Sequence, residues 1–319
     1  MGRQISSLAI RTLLKKSPAA LLSGWFFLVL AGSAWAKPIE VVTTTTPLQS
    51  LVEAVGGDGV RVVSVVSGER DAEEYVARPQ DVQRLASADV VVRVGLDFDL
   101  WFDRLLAKST NPRVVKGASG YVDASKGIML LDVKARGLSD TGHGHGAGNP
   151  HYWLDPKNAE MMTAHILLAL ADAAPSEAKK FEARRIVFLE QLAKREAEWT
   201  RRLQPLAGRA LIAYHNSWPY LARRFQLNFV GVIEPRPGVS PPPAHVAALL
   251  ALGKKHQLAG IVLGTREPRR DAEFIAKKLG VPIIVLAESV GALPAIRDYE
   301  ALIEFNVAAL EAAMQRGGK

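Results

Sequence analysis

The 319-residue chain contains no cysteine. That excludes disulfides, thiolate metal sites and a thioether lipid anchor at a processed N-terminus. A metal site would have to be assembled from His, Asp and Glu. Histidine is itself sparse, with seven residues in the chain. Long apolar runs are also scarce. Only "PAALLSGWFFLVLAGSAWA", residues 18–36, approaches membrane-spanning length, and no other segment is a candidate span. Nor is there an unbroken basic stripe. In "FEARRIVFLEQLAKREAEWTRR" the cations alternate with acids, as on a solvated helix face, so no nucleic-acid partner is expected.

The composition is otherwise that of an ordinary folded protein, 48% apolar and 23% charged, with ample material for a core. The net charge is +8, and half of it sits in the first 36 residues as Arg3, Arg11, Lys15 and Lys16 with no acid. This positive segment, the apolar stretch after it and the small-x-small triplet Ala34-Trp35-Ala36 form the pattern of a cleavable secretory signal. The expected mature chain begins at Lys37. With no cysteine to carry lipid, it is expected to be free in the periplasm.

After the leader, apolar β-branched runs alternate with helical patterns. "IEVVTTTT", "RVVSVVSG" and "DVVVRVG" read as strands. Helices are expected around "LQSLVEAVGG", "PQDVQRLASA" and "FDLWFDRLLAKS". Such runs imply parallel β/α units. Residues 134–150 are rich in Gly, Asp, Ser and His and read as an exposed loop. "DPKNAEMMTAHILLALADA" then reads as helical up to Pro175. A long helix is expected from about Ser176 to Leu203, with Phe181, Phe188, Leu192, Trp199 and Leu203 on one buried face. The second half repeats the pattern, with strands at "RALIAYH", "NFVGVIE", "AGIVLGT" and "PIIVLAE". Helices are expected at "PAHVAALLALGKKH", "RRDAEFIAKKLG" and "RDYEALIEFNVAALEAAMQR". The fold class expected is α/β: two lobes with parallel sheets bridged by one long helix. The boundaries are 1–36 for the signal peptide, 37–174 for the first lobe, 175–204 for the linking helix and 205–319 for the second lobe.

In open parallel sheets, ligands bind beyond the carboxyl ends of the strands. His215 follows the strand "ALIA" after one tyrosine, and Glu288 ends "PIIVLAE". Glu73 and Glu74 lie in the loop after "VVSVVSG", and His151 opens a helical turn after the glycine-rich loop. Each lobe thus offers two candidate positions for one crevice. Imidazole and carboxylate together suit Zn²⁺, Mn²⁺ or Fe²⁺.

The stretches "VVTTTTPLQSLVEAVGGDGVRV", "NPHYWLDPKNA", "AYHNSWPYLARRFQL" and "IEPRPGVSPPPAHVAAL" resemble the zinc/manganese-type periplasmic solute-binding proteins of bacterial metal ABC importers. The likeness runs over essentially the whole mature chain. It implies two β/α lobes, a metal site in the inter-lobe cleft, a membrane permease as partner, and His151 and His215 on metal-ligand positions. Two positions depart from the family pattern. In "DAEEY", Glu73 stands where the family usually has histidine, with Glu74 as the alternative. In "VLAESVG", Ala287 stands where an aspartate is common and Glu288 follows it. Glu288, Glu267 of "TREP" or a water are the options for a fourth ligand.

The expected function is a monomeric, non-enzymatic carrier that captures one divalent transition metal and passes it to an importer. Zinc is favoured on the histidine loop, and manganese or iron are the alternatives on the carboxylate. A secreted metallohydrolase is the less favoured alternative, because no HExxH helix and no obvious general base accompany the candidate ligands. A member with altered ligands that serves as a sensing module is the other alternative. His143 and His145 lie on the flexible loop. Ordering such a loop costs about 1–2 kcal/mol per residue, so they are poor members of a rigid site. The resemblance implies loose capture or sensing of metal by this loop, and a plain solvent loop with incidental histidines is the alternative. His165 is expected to be packed or hydrogen-bonded, His245 to be on the surface, and His256 to sit at a helix C-terminus. Trp153 and Trp218 adjoin the expected ligands, where ordinary lobe packing accounts for them.

Overall fold

The computed structural model describes residues 37–132, 148–236 and 238–317. The expected signal peptide and the loop histidines His143 and His145 lie outside the described residues.

The first lobe is built from β1 (Ile39–Thr43), α1 (Thr46–Gly56), β2 (Val60–Ser64), α2 (Pro79–Ser87), β3 (Val90–Arg93), α3 (Leu100–Lys108), β4 (Tyr121–Asp123) and α4 (Ala159–Ala173). Its strands pair in the order β2-β1-β3-β4, all parallel. The inner strands β1 and β3 are valine-rich and almost wholly buried, because helices cover both faces. At the edge, β2 is only half-buried along its length.

A single helix, α5 (Ala178–Leu203), follows a short 3-10 turn at Pro175–Glu177. Its 26 residues span about 39 Å at 1.5 Å per residue. It packs on α1 and α4 of the first lobe. Phe181, Leu192, Trp199 and Leu203 are buried on its inner face as the spacing requires, and Phe188 is only partly covered.

The second lobe contains β5 (Ala210–Ala213), α6 (Pro219–Phe225), β6 (Asn228–Val232), α7 (Pro243–His256), β7 (Gly260–Gly264), α8 (Arg269–Leu279), β8 (Ile283–Leu286) and α9 (Tyr299–Gly317). The strand order β6-β5-β7-β8 repeats that of the first sheet, again all parallel. Here α5 packs on α6 and α9, so one helix touches both lobes. Arg195 and Arg202 of α5 pair with Glu304 of α9, and Arg202 also with Glu311.

A second tie between the lobes is centred on Asp155, which is fully buried and accepts from Arg223 and Arg224 of α6. Two phenol hydroxyls fix the chain on either side of His151. Tyr152 Oη donates to Val94 O at 2.7 Å and Tyr220 Oη to Asn149 O at 2.9 Å. Among the described residues no helix is long and apolar enough to cross a membrane.

Candidate metal centre

The carboxyl ends of both sheets face one cleft of about 230 Å³. Glu73, His151, His215, Glu234, Arg266, Glu267 and Glu288 are among the residues that line it. Each arrives by a different local route.

Glu73 lies in the loop between β2 and α2. The Asp71 carboxylate accepts from the Glu73 backbone N–H at 2.8 Å, a side-chain turn that shapes the approach. Further back in the loop, Gly68 lies directly against the second lobe. A Cβ there would stand 1.9 Å from Val290 O, so only glycine permits the approach.

His151 caps the 3-10 turn Tyr152–Leu154 and is 3% exposed. Its Nε2 is 3.1 Å from Glu73 Oε1. Its Nδ1 is 3.2 Å from Asn149 Oδ1, which also accepts from the His151 backbone N–H at 3.0 Å. Because an amide oxygen only accepts, this bond places the proton on Nδ1 and leaves Nε2 as the metal-facing nitrogen. Phe98 stands edge-on to the His151 ring at 5.6 Å, and the Trp153 ring lies 5.2 Å away. Phe98 is delivered by a tight turn in which Gly95, Leu96 and Asp97 all have positive φ. That turn is held by the buried Asp99 carboxylate, which accepts from Val94 N, Gly95 N and Arg93.

His215 comes two residues after β5. Its Nδ1 is 2.7 Å from Glu234 Oε2, and Glu234 follows β6 in the neighbouring loop. Glu234 is itself anchored, because its Oε1 accepts from Gly238 N at 2.7 Å. Nδ1 is thereby committed, and Nε2 is the nitrogen a metal would take. Such a carboxylate–imidazole pair fixes the tautomer and raises ligand basicity. Burial works to lower the His215 pKa. The bond to Glu234 and the charges of Glu73, Glu288 and Glu267 outweigh it and raise the pKa to about 9.

One ligand atom each from Glu73, His151 and His215 falls within 4.8 Å of the others. Among the described residues this is the one group of that kind. The two imidazole rings are 6.0 Å apart, and Asn149 links them: its Nδ2 donates to Asn216 O, the residue after His215, at 2.7 Å.

Of the four candidates from the sequence, three come together. Glu288 lines the same cleft but stands outside the group, with its carboxylate 3.0 Å from Arg266 Nη2. Glu74 also lines the cleft and is not in the group. Glu267 turns back to accept from Gly264 N. Burial, and then the charge of Glu288, push its carboxyl well above the ordinary range.

Sequence reasoning missed Asn149, Glu234 and Arg266. Glu234 could have been found, because it follows the strand "NFVGV" and the strand-end rule applies to it. Of the remaining histidines, His165 is half-buried with Nε2 3.0 Å from Lys126 O, and His256 is exposed in the last turn of α7. His245, expected on the surface, is instead half-buried, with Nε2 2.9 Å from Val232 O. Trp153 and Trp218 are both buried, and Trp153 Nε1 donates to Glu288 O at 2.8 Å.

Two parallel α/β lobes, one linking helix and a polar cleft at the strand ends define a two-lobed solute-binding protein. Residues 41–313 match the family described as "Zinc-uptake complex component A periplasmic", and the chain belongs to that family. The zinc-binding protein AdcA of Streptococcus pyogenes serotype M1 is 23% identical over 294 residues, 88% of this chain and 57% of AdcA. The chain thus spans little more than half the length of that relative. The iron-binding protein YfeA of Yersinia pestis is 26% identical over 192 residues, covering 60% of this chain and 58% of YfeA. The crystal structure of ZnuA is 26% identical with a TM-score of 0.71, covering 88% of this chain and 98% of ZnuA.

Proposed function

We propose that this protein is a periplasmic carrier that binds one divalent transition-metal ion through Glu73, His151 and His215 and delivers it to the membrane permease of an ABC importer. The observation that carries this reading is the convergence of those three residues, from three separate loops, at the carboxyl ends of two sheets. The role requires no catalysis: a carrier needs only a coordination shell that forms and opens. The cleft supplies two imidazole nitrogens and one carboxylate oxygen, a set suited to four-coordinate zinc with one position left for water. AdcA and the family description both name zinc, which favours it.

A second reading, a manganese or iron carrier, is favoured by one specific feature. Glu73 puts a hard, charged oxygen in the position where the family usually has imidazole, and that favours harder ions. YfeA, by its name, binds iron. In either reading the working parts are an export signal over residues 1–36, a first lobe over 37–174, a linking helix over 175–204 and a second lobe over 205–319. The carrier acts as a monomer without a lipid anchor.

The test is metal analysis of protein purified from the periplasm, with and without chelator, alongside uptake of labelled zinc by cells with and without the gene. One zinc per chain, removed by chelator, with uptake lost in the deletion, supports the proposal. Manganese or iron as the bound ion moves it to the second reading. Absence of a bound ion and normal uptake overturn it.

A further inference from the structure

Arg266 stands just beyond β7, and its guanidinium is shared between the two lobes. Nη2 donates to Glu288 Oε2 at 3.0 Å within the second lobe. Nη1 donates to Arg70 O at 2.8 Å and lies 3.4 Å from Gly68 O, both on the loop that leads to Glu73. The side chain is three-quarters covered, and its Nε is buried. Glu288 is also well covered, at 15% exposure. Its main chain is fixed near the His151 imidazole, because its carbonyl accepts from Trp153 Nε1 and the Trp153 ring packs on that of His151. The carboxylate therefore belongs to the wall of the metal cleft, but a cation holds it there.

We propose that Arg266 is a specificity-determining positioning residue that keeps Glu288 out of the metal's coordination shell. This rests on the reading of Glu73, His151 and His215 as the ligands and deepens it. With Glu288 held by the guanidinium, the protein offers two nitrogens and one oxygen carrying a single negative charge. That is a three-ligand set suited to zinc. With Glu288 released, the set would gain a second carboxylate and a second charge. A harder set of that kind raises the standing of manganese. A guanidinium suits the task because its planar fork binds the carboxylate and the opposing carbonyls together. Removing it leaves a partly buried carboxylate without its counter-charge, and a bound divalent ion would be the nearest replacement.

The test is a double-mutant cycle on the mature protein, with manganese and zinc affinities measured by competition against a chelating dye. The four proteins are wild type, Glu288→Gln, Arg266→Met and the double variant. Arg266→Ala is run in parallel, and thermal melts confirm folding. Glu288→Gln is expected to leave both affinities of the wild type within about threefold. In the Arg266→Met background the same change is expected to weaken manganese binding by about tenfold or more, within the range of coupling that groups in direct contact show in such cycles. The double variant carries any cost of loosening the 68–70 loop, so the cycle isolates Glu288. If Glu288→Gln weakens the wild type as much as it weakens Arg266→Met, Glu288 is already a ligand and the proposal is overturned. If it has no effect in either background, Arg266 withholds nothing and the proposal is equally overturned. His215→Ala is measured alongside: unchanged binding in that variant would remove the ligand assignment itself, an outcome distinct from failure of the cycle.

Discussion

Glu234 holds His215 by a 2.7 Å contact between Oε2 and Nδ1, and the carboxylate's other oxygen is tied to Gly238 N. The imidazole is thus oriented by the loop after the neighbouring strand rather than by its own. Replacing Glu234 by alanine should leave the fold intact and weaken zinc binding about 10–100-fold, the range for removing a partner that orients a ligand. Chelator competition measures the loss. Wild-type affinity in Glu234→Ala would mean that His215 is positioned by something else.

Gly68 supplies a second check, on the loop that presents Glu73. A methyl group at this position meets the Val290 carbonyl, a backbone atom that cannot rotate away. Gly68→Ala should destabilise the protein by about 1–3 kcal/mol, as overpacking does, and should lower metal affinity as well. Urea denaturation and metal titration report the two effects separately.

The α5–α9 junction makes stability depend on pH. Burial disfavours the Glu304 carboxylate, but hydrogen bonds from Trp199 and Arg202 and the charges of Arg202 and Arg195 outweigh it. Its pKa is lowered. A lowered folded-state pKa gives stability that is fully present above the unfolded-state value of about 4.3. That stability is lost as pH falls through the folded-state value. The melting temperature of Glu304→Gln should therefore lie below that of wild type near neutrality, and the gap should narrow on acidification. Melts of metal-free protein across the acid range test this. A gap that stays constant with pH would show that the carboxylate's charge contributes nothing there.

Glu73→His should shift preference from manganese toward zinc, because a softer neutral nitrogen replaces a hard charged oxygen. Glu73→Ala should weaken both ions. Competitive zinc and manganese titrations of the two variants decide this. Zinc binding by Glu73→Ala as tight as wild type would place Glu73 outside the shell.

Much of this architecture is legible in the sequence because parallel β/α folding writes a strong pattern. Valine-rich runs such as Val90–Arg93 are buried on both faces, and Phe181, Leu192, Trp199 and Leu203 keep one phase along a helix. The strand β4 was not legible. Its three residues, Tyr121–Asp123, lie among glycines and serines, and pairing with β3 rather than local preference makes them a strand. The site divides in the same way. His151 and His215 are marked by their flanking sequence, and Glu73 by its place after a strand. The engagement of Glu288 by Arg266 joins loops 22 residues apart and the opposite lobe, so it depends on how the lobes face each other and leaves no local trace.

The central claim is that Glu73, His151 and His215 together hold the ion. Zinc K-edge X-ray absorption of the loaded mature protein, compared with His215→Ala, tests it most directly. The account predicts two imidazole nitrogens at about 2.0–2.1 Å and carboxylate oxygen in the wild type. In His215→Ala it predicts one imidazole fewer and much weaker binding. A first shell without imidazole, or a spectrum and affinity unchanged in His215→Ala, would contradict it.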